Sequence, residues 1–216
     1  MLTNIRLGLK SSQYMLFLKL IFFLLPATSF NLFALPEDAP FWRTKEKVLA
    51  RITNERAIVV TVKAIAKGKG QSQLLMHGGG LTRISHDLAF QRATQYEELK
   101  KISDHIREVR WNSQQSMLYV HTEAFRYHAR MHMKITTEKP SPKVNKIRFR
   151  VVEGNFKGME GVFTFEDYRA NEALMGFYST FDYKKLPMPE FFVRFGLEVV
   201  LQKVAGLMRT QLEKPN

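Results

Sequence analysis

Lys146-Ile147-Arg148-Phe149-Arg150-Val151 alternates basic and apolar side chains. A period of two puts Ile147, Phe149 and Val151 on one face of a β-strand and the three cations on the other. Gly154-Asn155-Phe156-Lys157-Gly158 follows as a glycine-punctuated turn. Gly161-Val162-Phe163-Thr164-Phe165 runs back, and residues 172–181 supply a third strand. Short turns make such neighbours antiparallel. The chain then crosses Pro187 and Pro189 and ends in an amphipathic helix to about residue 213. A curved antiparallel sheet closed by a C-terminal helix, an α+β arrangement, makes a container for something apolar.

The strand before this block splits the same way. Tyr127, Ala129, Met131, Met133 and Ile135 point to one side, and His128, Arg130, His132, Lys134 and Thr136 to the other. Paired, the two strands carry an apolar, methionine-rich face and a basic plate of Arg130, Lys134, Lys146, Arg148 and Arg150. Further upstream, residues 57–66, 104–111 and 116–125 read as strands and residues 85–101 as a helix that Ser85 or Asp87 caps. Residues 71–84 are extended, with Gly78-Gly79-Gly80 marking a bulge or a close backbone approach. Residues 40–54 form a short amphipathic helix with Trp42, Val48, Leu49 and Ile52 on one side, expected at the domain edge. The C-terminal helix carries the stripe Val193, Leu197, Val200, Val204, Leu207.

Residues 1–34 have the pattern of an export signal. Arg6 and Lys10 form a positive start, residues 16–25 are apolar apart from Lys19, and cleavage is expected after Ala27 or Ala34. The alternative is an uncleaved anchor, because residues 14–34 are long enough to span a bilayer of about 30 Å. Lys19 and Asn31 count against it. Residues 35–56 then form a leader and residues 57–216 one domain. Removing the signal lowers the net charge from +13 to +10. A chain that basic favours acidic partners such as anionic membrane. With no cysteine there is neither a disulfide nor a thiol for lipid attachment.

Several chemistries are excluded. His77-Gly78-Gly79-Gly80 imitates an esterase oxyanion loop, but no Gly-x-Ser-x-Gly elbow accompanies it. His128 and His132 lie on a strand, where four residues span roughly 13 Å, so they cannot share one metal ion. Glu166 and Asp167 are adjacent on a strand and point to opposite faces. No glycine-rich phosphate loop is present. No aromatic interleaves the basic plate, so nucleic acid is not the expected partner.

The stretches Thr94-Gln95-Tyr96-Glu97-Glu98-Leu99 and Ile106-Arg107-Glu108-Val109 precede this strand series. Together with the hairpin Glu153 to Phe165 and the tail from Leu186 to Leu207, they resemble the START-like superfamily of polyketide cyclases/dehydrases and lipid-transport proteins. The branch they resemble includes the coenzyme Q-binding proteins. Gln95 departs from the usual aspartate, and the usual proline is missing. The resemblance implies a helix-grip fold: a seven-stranded antiparallel sheet around the long C-terminal helix, with a cavity between them. It implies a lipid, quinone or similar apolar ligand; no cofactor is expected, and with no cysteine and no clustered carboxylates no metal is expected either. The expected lining is Tyr127, Met131, Met133, Phe149, Phe163 and Phe165, with Met175 and Phe177 from the last strand. Val193, Leu197, Val200 and Val204 complete it from the helix. The leading expectation is an exported, periplasmic, noncatalytic carrier, with the basic plate docking to anionic membrane. The rivals are a cyclase-like enzyme using Tyr127 or Tyr178 as proton donor, and an interaction module with a filled interior.

Overall fold

The computed structural model describes residues 40–124, 127–184 and 190–215. The signal-like residues 1–34, Pro187, Pro189 and the side chains of Tyr127 and Val193 lie outside the described residues.

Among the described residues eight strands form one antiparallel sheet: β1 (Val59–Gly68), β2 (Gln71–Thr82), β3 (Ile106–Asn112), β4 (Met117–Ala124), β5 (Tyr127–Ser141), β6 (Val144–Gly154), β7 (Glu160–Arg169) and β8 (Glu172–Tyr183). Their order across the sheet is β1-β2-β8-β7-β6-β5-β4-β3. The expected count was seven. β2 makes the difference, because it pairs without a break from Ser72 to Thr82 with β8. The glycine triplet therefore makes no bulge; it is the close backbone approach that the sequence allowed as an alternative.

The hairpins behave as the period predicts. Ile147 and Val151 are buried on the inner face of β6, opposite Phe163 of β7 and Met133 of β5. Gly154 closes the β6–β7 turn at φ +90, and a Cβ there would strike the Arg130 carbonyl, so only glycine fits.

Among the described residues three α-helices cover the sheet: α1 (Glu46–Asn54), α2 (His86–Ala93) and α3 (Glu190–Leu212). Ser85 caps α2, its Oγ accepting from Leu88 N at 3.3 Å. The expected helix over residues 85–101 breaks at Thr94, and a 3-10 helix (Tyr96–Lys101) follows. α2 and this 3-10 helix cover the inner face of β3 to β7. There Ala89, Tyr96, Leu118, Val120, Ile135 and Phe165 form solid core. The Tyr96 ring lies 4.5 Å from that of Trp111, and burial pushes its phenol up to about 12. α3 covers the other end of the inner face, over β1 and β2.

The outer face is covered too over β1, β2 and β8, by residues 40–54, which were expected only at the domain edge. A 3-10 helix (Phe41–Thr44) and α1 pack on β1, β2 and β8, burying Trp42 to 2% and Ile52 to 0% exposure. This segment joins the folded unit instead of preceding it as a leader. The indole fits because Gly79 and Gly176 face each other across β2 and β8, and a Cβ on Gly79 would overlap its ring.

Beside this contact, His77 sits between the Phe41 and Tyr178 rings at 5.6 and 5.0 Å. Its Nδ1 is buried without a hydrogen-bond partner. Burial, then Lys63 and Lys45, hold the imidazole below its ordinary value. The unfolded chain therefore binds this proton more readily, so His77 favours folding above about pH 6.5 and that contribution falls away as pH drops toward the depressed folded value. His77→Phe keeps the ring packing and removes the titration. Its melting temperature should fall less than that of the wild type between pH 7.5 and pH 5. Parallel curves would mean that the imidazole is not shielded from solvent.

Candidate functional site

The cavity lies between the inner face of the sheet and α3. Its floor is two rows of cross-strand neighbours. One row is Val60, Gly78, Phe177 and Phe163; the other includes Gly80 and Met175, with Ile58 beside them. Gly78 and Gly80 bring no side chain to the inner face, so the floor sinks where a valine or leucine would fill it. Gly79 lies between them with the opposite parity and admits Trp42 on the outer face. The triplet thus makes room on both sides of one strand. Leu201, Val204, Ala205 and Met208 of α3 form the roof, and Arg209 closes one end.

The space is about 130 Å³ and almost wholly apolar. An apolar cavity of about 150 Å³ stays dry and takes up benzene. As it stands, the cavity encloses a group of that size, and a longer chain must follow the seam under α3. Thr82 is fully buried at the cavity wall, its hydroxyl donating to the Ala173 carbonyl at 3.4 Å.

Polar contacts fix α3 at both ends. β1 is an edge strand, and Val62 turns its N–H and C=O outward. Glu198 Oε1 accepts from Val62 N at 2.9 Å, and Arg194 Nε donates to Val62 O at 3.2 Å. At the other end Glu213 pairs with Arg56 at 2.7 Å and accepts from Arg83 N at 2.8 Å. Arg92 donates to the carbonyls of Leu212 and Lys214, satisfying oxygens that a helix end leaves free.

Of the expected lining residues, Phe163, Met175, Phe177 and Val204 bound the cavity. Phe149 stands on the same floor and stacks with Phe177 at 6.4 Å, behind the lining. Phe165 is fully buried in the core, edge-on to Phe90. Met133 packs against that same core, and Met131 lies opposite Val120, under the far half of the sheet. Leu197 packs on the cluster of Val62, Leu74 and Met76. Val200 is 55% exposed and points away from the sheet. The inner seam of α3 is Leu197, Leu201, Val204 with Ala205, Met208 and Leu212, rotated from the expected stripe. Ile58, Val60, Leu201 and Ala205 were missed; the signal that pointed here was the glycine triplet.

The basic plate lies on the outer face, with the parity expected. Its cations are not isolated from acids, however. Arg148 Nε donates to Glu138 at 2.8 Å, and Lys146 stands opposite Glu138. Arg150 faces Glu160 across β6 and β7. Lys134 Nζ donates to Gln115 O at 2.6 Å. Arg130 is exposed near Asn155, which accepts from its backbone N–H.

Among the described residues no catalytic constellation gathers at the cavity. Tyr178 is on the outer face beside His77, on the wrong side of the sheet for a cavity proton donor. Arg209 is the sole ionisable side chain among the described lining residues, and a guanidinium offers hydrogen-bond donors and no acceptor. His128 meets His121 across β4 and β5, Nδ1 to Nε2 at 3.1 Å, and not His132. Among the described residues no group of three or more potential ligands is placed to hold a metal.

A curved antiparallel sheet gripping a C-terminal helix over an apolar space defines the helix-grip class. The chain belongs to the polyketide cyclase/dehydrase and lipid transport family, whose model matches residues 83–208. No curated protein matches it in sequence. Three similar solved structures are START-type proteins. One is a STAR-related lipid transfer protein fragment from Xanthomonas axonopodis, with TM-score 0.53 and 11% identity over 71% of this chain and 99% of that one. Another is the lipid transfer and protein localization domain of human StarD13, with TM-score 0.54 and 9% identity over 79% and 97% of the two chains. Human STARD10 has TM-score 0.54 and 9% identity over 80% of each. At these identities the likeness is one of fold.

Proposed function

We propose that this protein is a noncatalytic carrier of a lipid, quinone or similar apolar molecule, held between the sheet and α3. The cavity over Gly78 and Gly80 carries the reading: it is apolar, roofed by one helix and free of an acid–base pair among its described lining. Burial at about 25 cal/mol per Å² supplies the affinity, less the cost of ordering the ligand. Native mass spectrometry of protein purified from its own membrane fraction is the test. An apolar molecule bound at one equivalent supports the carrier. Protein that is free of ligand and also binds no apolar probe refutes it and favours a filled-in interaction module.

The same reading includes export through residues 1–34 and work at a membrane surface in the periplasm. An intact N-terminus on the exported protein would identify these residues as an anchor instead. Docking is better supported at α3 than at the basic plate. Phe191, Phe195 and Val199 are 69%, 59% and 51% exposed on α3. Large exposed apolar patches mark interaction sites. The plate lies on the opposite face of the sheet, so one flat bilayer cannot touch both, and Glu138 and Glu160 temper its charge. Phe191→Ser with Phe195→Ser should lower binding to vesicles containing phosphatidylglycerol by tenfold or more. Arg148→Glu with Arg150→Glu should lower it less. The reverse order would return docking to the outer face.

A further inference from the structure

We propose that the ligand is an acidic amphiphile, an apolar chain whose carboxylate or comparable anionic head is held by Arg209. The inference rests on the reading of the cavity as a ligand site and adds the chemical class. The cavity walls offer apolar carbon everywhere except at the Arg209 end and at Thr82, whose hydroxyl is already engaged.

Arg209 has five N–H donors, and among the described residues its side chain makes one hydrogen bond, Nη1 to Arg56 O at 2.8 Å. No described acid pairs with it. Glu213 is committed to Arg56 Nη2 at 2.7 Å and to Arg83 N at 2.8 Å. Arg56 Nε, beside this contact, is buried with no partner. Glu213 answers Arg56 and not Arg209, so the Arg209 charge has no described counter-ion at the rim of an apolar space.

Such a charge is costly beside apolar walls unless it is paired. A guanidinium also prefers planar, two-oxygen anions, which it binds through parallel N–H donors. An uncharged quinone or sterol would fill the walls and leave Arg209 unanswered. A fatty-acid-like molecule answers both.

The test is competition of dodecanoate and 1-dodecanol against a fluorescent apolar probe at pH 7.5, with thermal melts alongside. Wild type should bind dodecanoate at least tenfold more tightly than the alcohol. Arg209→Met should bind the two equally, the acid preference of at least tenfold being lost. Arg209→Lys should keep part of the preference, and Lys157→Met, an exposed cation in the β6–β7 turn, should keep all of it. Equal binding of acid and alcohol by wild type overturns the inference and leaves the cavity as a ligand site. So does an acid preference that survives in Arg209→Met, or one that Lys157→Met loses equally. Binding of neither molecule overturns the cavity reading itself. If Arg209→Met does not fold, the wild-type comparison and Arg209→Lys decide.

Discussion

Trp42→Ala is expected to cost about 3–5 kcal/mol of folding stability, the range for truncating a buried tryptophan. The indole is 2% exposed and lies over the backbone of Gly79 and Gly176, with Ile52, Leu81 and Leu174 around it. Nothing else in the sequence of β2 and β8 fills that area, because the two positions facing it are glycines. The same backbone borders the cavity on its inner face, so the indole also backs the cavity floor. Urea unfolding measures the effect: at a slope of about 2 kcal/mol per molar, the midpoint should fall by about 1.5–2.5 M. Gly79→Ala should also destabilise, because its Cβ would overlap the indole. The two changes share one space, so the double variant should lose clearly less than the sum of the two single losses. Additive losses, or a Trp42→Ala loss below about 1 kcal/mol, would show that residues 40–54 do not pack as described.

This contact marks where the sequence was legible and where it was not. The β6 to β8 hairpins could be read directly, because Ile147, Phe149 and Val151 alternate strictly with cations and only one face can be buried. The position of Trp42 could not, since an amphipathic segment shows that it has a buried side but not which surface covers it. The phase of α3 failed for a related reason. Its first half is apolar on every side, with Phe191, Phe195, Leu197, Val199, Val200 and Leu201, so hydrophobicity alone does not choose a face. Arg194 and Glu198 choose it by bonding the outward backbone of Val62, an edge-strand need that helical periodicity does not register.

The split between core and cavity was equally hidden. Phe163 and Phe165 sit two residues apart on one strand and share a face, yet the first borders the cavity and the second is solid core. What separates them is which helix lies above. The absent side chains of Gly78 and Gly80 were a better guide to the void than any apolar residue present.

Gly80→Val should therefore abolish apolar ligand uptake, with at least a tenfold loss of affinity, while the domain stays folded. A Cβ at Gly80 meets only Ile58, at 3.6 Å, which is ordinary contact, and the backbone there is not in the left-handed region. Valine is also a better strand residue than glycine, so the melting temperature should hold or rise. Its isopropyl group enters a space of only about 130 Å³, leaving too little room for even a benzene-sized group. Val200→Trp is the matched control. Val200 is 55% exposed on the outer side of α3, so the larger ring should change neither stability nor uptake. A fluorescent fatty-acid displacement assay beside a thermal melt reads both variants. A folded Gly80→Val protein that binds like wild type would place the ligand elsewhere on the molecule. Loss of uptake in Val200→Trp but not in Gly80→Val would move the site to the outer face of α3. Loss of folding in Gly80→Val would mean that the floor over Gly80 is packed solid, and the void between β2 and α3 would have to be abandoned.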